Sequence, residues 1–121
     1  MNIEDLRSYC LSKAGTTESF PFDEETLVFK VMGKMYALVP LEKRTTIALK
    51  CDPDYALELR EHHPGMIEGA FHMNKKHWNQ VELAGNLSSE LVLSLVDHSY
   101  ELVASKLKKA EKEELKRLRG E

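Results

Sequence analysis

The stretch Leu27-Val28-Phe29-Lys30-Val31-Met32-Gly33-Lys34-Met35-Tyr36-Ala37-Leu38-Val39-Pro40 decides the fold. Leu27, Phe29 and Val31 alternate with Thr26, Val28 and Lys30, the two-residue period of a strand that lays one face on a core. Gly33-Lys34 supplies a tight turn, Met35 to Val39 returns, and Pro40 stops the run because it has no N–H to pair. Thr46 to Cys51 then forms a third strand, with Ile47, Leu49 and Cys51 on one face and Thr46, Ala48 and Lys50 on the other. This alternation predicts an antiparallel meander with one face buried and one partly wet.

Helices flank the meander. Asn2 caps a first helix carrying the apolar stripe Ile3, Leu6, Tyr9, Cys10 and Leu11, and Gly15 ends it. Pro21 forces Phe20 out of the helical region, so Phe20-Pro21-Phe22 is a loop whose two rings are expected to staple it to the core. Asp52-Pro53 starts a second helix that carries Tyr55, Ala56, Leu59 and Arg60 and closes around His62-His63-Pro64-Gly65. A strand pair is expected across Ala70 to Met73 and Trp78 to Leu83. Ser88 caps the longest helix, whose stripe runs Leu91, Val92, Leu95, Val96, Ser99, Leu102, Val103 and Leu107. The order is that of an α+β fold: an antiparallel sheet of about five strands, helices packed on one face, and the other face open for function.

Length and composition agree. The 121 residues, 42% hydrophobic and 31% charged, fit one domain and exclude a disordered chain, a collagen or a membrane protein. The domain is expected over residues 1–108, with 109–121 a charged tail or helix extension in which only Leu115 and Leu118 have anything to bury. A net charge of −3 requires any nucleic-acid contact to come from a local patch. The N-terminus carries acids where a signal peptide needs bases, and no apolar stretch approaches a bilayer span. Cys10 and Cys51 form no Cys-x-x-Cys pair, so both are expected as reduced core thiols in a cytoplasmic protein without membrane contact.

Four strings carry a resemblance: Phe20-Pro21-Phe22, the hairpin from Leu27 to Ala37, the block His72-Met73-Asn74-Lys75-Lys76-His77-Trp78, and Asp97-His98-Ser99-Tyr100-Glu101-Leu102-Val103. Together they resemble the MmcQ/YjbR family of small bacterial proteins, across residue 1 to Lys108. The resemblance implies a frataxin-like (CyaY-like) α+β sandwich. It also implies DNA binding, by analogy with a "double wing" domain, an analogy that rests on shape.

The residues themselves offer a nucleic-acid surface. With the strand phase above, Lys30 and Lys50 project from the open face and Lys34 sits at the hairpin tip, while Trp78 shares that face with Gln80 and Glu82. Lys34, Lys75 and Lys76 are expected to meet phosphates, Asn74 to shape the turn and donate hydrogen bonds, and Trp78 to stack, with His77 beside it. Three to five such contacts would make DNA binding weak and steeply salt-dependent.

Other chemistries find less in the sequence. His62, His63, His72, His77 and His98 lack zinc-site spacing, and Asp23-Glu24-Glu25 reads as a solvated loop, so no metal or cofactor is expected. His62 and His63 suit a helix C-terminus, where positive charge is favourable. Asp97-His98-Ser99 contains the letters of a triad, but helix neighbours point about 100° apart and cannot relay a proton, so no enzyme is expected. The rival reading is a protein-interaction or small-ligand module using the same face, as a monomer or as a weak homodimer seamed by Leu107, Leu115 and Leu118.

Overall fold

The computed structural model describes residues 1–42, 45–70 and 73–121. Its elements run α1 (Ile3–Leu11), β1 (Thr16–Ser19), β2 (Thr26–Val31), β3 (Lys34–Pro40), β4 (Thr46–Lys50), α2 (Pro53–His62), β5 (Ile67–Gly69), β6 (Trp78–Glu82), α3 (Ser89–Ala104) and α4 (Lys109–Leu118). One antiparallel sheet takes the order β1-β2-β3-β4-β6-β5. The class is the expected α+β. Six strands replace about five, because the short polar run Thr16–Ser19 pairs along β2. Four residues with no apolar alternation leave no periodic signal.

Caps set the helices where the sequence places them. Asn2 Oδ1 accepts from Asp5 N–H at 2.8 Å, Asp52 from Tyr55 N–H at 3.3 Å, and Ser88 Oγ from Leu91 N–H at 3.1 Å. The β2–β3 turn falls one residue before the expected Gly33-Lys34: Met32 and Gly33 take φ 49° and 84°, the pair of positive values that a two-residue hairpin loop needs, and Lys34 already pairs with Val31.

All four helices pack on one side of the sheet. Leu6 and Cys10, Ala56 and Leu59, Val96 and Tyr100, and Leu115 join Phe29, Tyr36, Ile47, Leu49 and Val81 in one core. The opposite face carries a smaller cluster of Val28, Leu38, Ala70 and Trp78, with Met35, Ala48 and Met73 against it. The open face is therefore wet only at its margins, and β2 and β3 contribute buried residues to both sides.

Several expectations change. The outer partner of β6 is Ile67–Gly69 and not the expected Ala70 to Met73; Ala70 and Met73 lie outside any strand, and Phe71 and His72 lie outside the described residues. Phe20 and Phe22 are exposed, Phe22 by 63%, so they do not staple their loop to the core. Its anchor is polar instead: Asp23 Oδ1 accepts from Glu25 and Thr26 N–H at 2.8 and 2.7 Å. The C-terminal segment is a helix of its own, set off from α3 by Ser105–Lys108, and its Leu115 is buried against Gly15. Leu107 is buried too, so of the three leucines proposed as a dimer seam only Leu118 is exposed.

The Asp97–Tyr100 string buckles the two layers together. Asp97 accepts from Tyr9 O–H at 2.6 Å and pairs with Lys13, and His98 Nε2 accepts from Asp52 N–H at 3.1 Å. Tyr100 O–H donates to Ala14 C=O, closing the chain that follows α1. Ser99 is fully buried; its Oγ donates to Tyr36 C=O at 2.5 Å and accepts from Lys50 N–H at 2.9 Å. Both backbone groups lie just beyond the registered β3–β4 pairs Ala37↔Leu49 and Leu38↔Ala48. A methyl in place of the hydroxyl would leave two buried polar groups unpaired. Ser99→Ala is expected to cost about 2–4 kcal/mol, read as a lower urea midpoint at unchanged slope; a loss under about 0.5 kcal/mol would mean the bridge contributes nothing.

Burial pushes both the Cys10 and Cys51 thiols up to about 11. Both are free and buried. A thiol reagent at about pH 8 should therefore label neither in the native protein and both after denaturation, and fast native labelling would contradict this packing.

Candidate functional site

The open face is organised in rows by strand register. Thr46 lies opposite Glu82, Ala48 opposite Gln80 and Lys50 opposite Trp78 across β4–β6, while Val28 lies opposite Leu38 and Lys30 opposite Met35 across β2–β3. One end of the face thus holds Lys30, Lys50 and Trp78, the middle is apolar, and the far end holds Thr26, Thr46 and Glu82. The strand phase read from sequence is correct for Lys30, Lys50, Trp78, Gln80 and Glu82.

At the cationic end, a hollow of about 360 Å³ is lined by Lys34, Met35, Lys50, Trp78, Val103 and Lys106. It exists because β3 and β4 part there. Phe29 pairs with Ala37 but Lys30 with Met35, so Tyr36 is an extra residue that bulges the strand. Tyr36 turns into the main core and Met35 stays outside, and Ser99 takes up the backbone groups the ladder has lost. None of Lys34, Lys50 and Lys106 forms an ion pair among the described residues. Lys106 is absent from the sequence-based set. Its signal was weak: it stands seven residues after Ser99 and three after Val103, continuing a buried stripe beyond the helix end.

The other candidates are dispersed. Asn74 shapes the turn, as expected: its Oδ1 accepts from Lys76 N–H at 3.0 Å and its C=O from His77 and Trp78 N–H at 3.0 Å each. In this turn the Asn74 side chain accepts a hydrogen bond and donates none among the described residues. His77 is half-buried and its C=O receives Cys51 N–H at 2.8 Å. Lys75 lies on the helix side: a Cβ on Gly69 would meet Lys75 Cβ and the Arg60 guanidinium carbon at 3.3 Å each. Arg60 donates to Lys75 C=O and to Asn79 Oδ1, the latter at 2.7 Å, and Asn79 Nδ2 donates to Ala56 C=O at 3.3 Å. Lys75 and Lys76 do not line the hollow that brings Lys34, Lys50 and Trp78 together.

Trp78 requires a correction. It sits on the expected face, but only 7% of it is exposed, because Ala70 and Met73 from the β5–β6 connection close over it beside Val28 and Leu38. Swinging such a ring out would forfeit about 3–5 kcal/mol of packing, whereas stacking on a base returns about 1–3 kcal/mol. Trp78 is a floor and not a stacking platform.

A second hollow, of about 420 Å³, occupies the middle and far end of the same face. The exposed Phe22 of the β1–β2 loop walls one side and Ala70 and Met73 the other, over Leu38, Ala48 and Gln80. Among the described residues, no three His, Cys, Asp or Glu side chains cluster to hold a metal ion, and no helix is long and apolar enough to cross a membrane.

An antiparallel sheet backed on one side by four helices, with its other side toward solvent, is an α+β fold. The family behind the shape is shown by comparison with known proteins: the YjbR profile matches residues 11–102, and the chain belongs to the YjbR family. It is 35% identical over 102 residues to the uncharacterised protein YjbR of Escherichia coli K12, covering 84% of this chain and 86% of that one. It is also 35% identical over 98 residues to the uncharacterised protein YbdF of E. coli O157:H7, covering 80% of each. The crystal structure of Deinococcus radiodurans protein DR2400 superposes with a TM-score of 0.87 at 45% identity, over 94% of this chain and 87% of that one. A Pseudomonas syringae protein superposes with a TM-score of 0.71 at 32% identity, over 84% of this chain and 98% of that one.

The burial of Trp78, the chain's single tryptophan, is directly readable. Native emission should be blue-shifted, resist iodide quenching and stay unchanged when single-stranded DNA is added. Red-shifted, quenchable emission would return the ring to solvent.

Proposed function

We propose that this chain is a non-enzymatic nucleic-acid-binding module of the cytoplasm that grips backbone phosphates with the cationic end of its open sheet face. One observation carries the reading: Lys34, Lys50 and Lys106 line a single hollow without carboxylate partners among the described residues, and Lys30 stands beside it on the same face. Ammonium groups converging on a concavity concentrate positive potential despite the net charge of −3. The reading keeps the DNA-binding expectation of the "double wing" analogy and changes its residues. Phosphate contact passes to Lys34, Lys50 and Lys106, and no base stacks on Trp78.

The magnitude is modest. Three or four phosphate contacts give a log–log salt slope of about −3 and carry no base readout, so binding is weak and indifferent to sequence. Anisotropy of a labelled duplex at low ionic strength tests this. Wild-type protein should bind saturably. Lys34→Glu with Lys106→Glu should abolish binding or flatten the slope by about two, whereas Lys75→Glu with Lys76→Glu should leave most of the affinity. Absence of binding at low salt, or affinity that survives the Lys34/Lys106 reversal, would overturn the reading.

A further inference from the structure

The hollow between Phe22 and Met73 is independent of the cationic end and has the character of a different kind of site. Its volume of about 420 Å³ falls within the range of small-molecule pockets. The floor is low because Ala48 occupies the centre of the face, between Leu38 on β3 and Gln80 on β6. A larger residue at 48 would fill the depression. The walls belong to two connections, so the concavity is made by tertiary structure and not by one strand.

Two polar side chains in this apolar setting make no hydrogen bond among the described residues. Thr46 is only 5% exposed and lines the hollow, yet its hydroxyl makes no hydrogen bond among the described residues. Gln80, half-buried on the adjacent strand, likewise makes no side-chain hydrogen bond there. Among the described residues no sealed side-chain nitrogen or oxygen lacks a partner, so the unbonded Thr46 hydroxyl opens onto the hollow, where a molecule outside the chain can bond it. Thr46 and Gln80 each offer a donor and an acceptor, which together match an amide-like edge. Asp23 supplies the one charge among the described lining residues, and its oxygens are already taken by Glu25 and Thr26 N–H and the Thr26 hydroxyl. These hydrogen bonds hold its carboxyl below the usual range, so it stays ionised and repels anions.

We infer that this hollow binds a small, uncharged, largely apolar molecule whose one amide-like edge is read by Thr46 and Gln80. The ring or chain of such a ligand lies on Leu38 and Ala48 between Phe22 and Met73, and an ionic group there would lose its hydration without a partner. The site does not depend on the lysine hollow. Its occupant gains affinity from apolar area and orientation from two hydrogen bonds.

A matched pair of probes tests the inference: indole-3-acetamide, and indole-3-acetate, which exchanges the amide for a charge at nearly constant shape. In ¹⁵N-resolved NMR titrations, the amide should move Thr46, Ala48 and Gln80 saturably, and the acetate should bind at least about tenfold more weakly. Ala48→Leu should remove binding by filling the floor. Thr46→Val, which keeps shape and loses the hydroxyl, should weaken it about three- to tenfold while the rest of the spectrum is unchanged. Lys34→Glu with Lys106→Glu should have no effect, which separates this site from the phosphate-binding reading. No saturable shift up to the probe's solubility limit, shifts centred elsewhere, equal affinity for both probes, or full affinity in Thr46→Val would each overturn the inference.

Discussion

The Ser99 hydroxyl is the joint on which the rest of the molecule depends. A bulge at Tyr36 breaks the β3–β4 ladder after two registered pairs, leaving Tyr36 C=O and Lys50 N–H without strand partners inside the protein. One hydroxyl, presented by a buried helix, answers both. A buried backbone group without a partner costs about 1–3 kcal/mol, so the arrangement is tolerable only with α3 seated at that height. Seating α3 in turn places His98 at the cap of α2, Asp97 at Tyr9 and Lys13 of the α1 region, and Tyr100 at Ala14.

The same break creates the surface feature with the clearest charge. Where β3 and β4 part, the open face gains a concavity, and the chain at the end of α3 reaches it with Val103 and, just past the helix, Lys106. Packing on the inside and the shape of the outer face are thus coupled through one strand irregularity. The Asp97-His98-Ser99 letters illustrate the point. They resemble catalytic vocabulary, but each side chain is spent on holding a different element, and Ser99 has no freedom to act as a nucleophile.

The open face combines two environments that ordinarily exclude one another. An apolar cluster buries Trp78, while the same end of the face carries Lys30, Lys34, Lys50 and Lys106. Trp78 and Lys50 are directly opposed across β4–β6, so the lysine stem can lie on the ring while its ammonium reaches water. This explains how a chain with more acids than bases presents a locally cationic surface, and why the aromatic residue beside those bases serves packing.

Local chemistry made much of this legible in the sequence. Caps at Asn2, Asp52 and Ser88, a tight turn at Gly33 (one residue earlier than Gly33-Lys34) and the alternation of Leu27 to Val31 each act through neighbours in the chain, so they speak without tertiary information. Strand phase was legible for the same reason, and it put Lys30, Lys50 and Trp78 on one face. What only the folded molecule decided depends on contacts distant in sequence. The strand at Thr16–Ser19 is held by pairing along β2, and the exposure of Phe22 and burial of Trp78 are set by loops that close over one and leave the other. Lys106 joins Lys34 and Lys50 across more than fifty residues of chain because the end of α3 lies at the parted strands. Periodicity reports which side of an element faces inward; it carries no information about what another element later lays on the outward side.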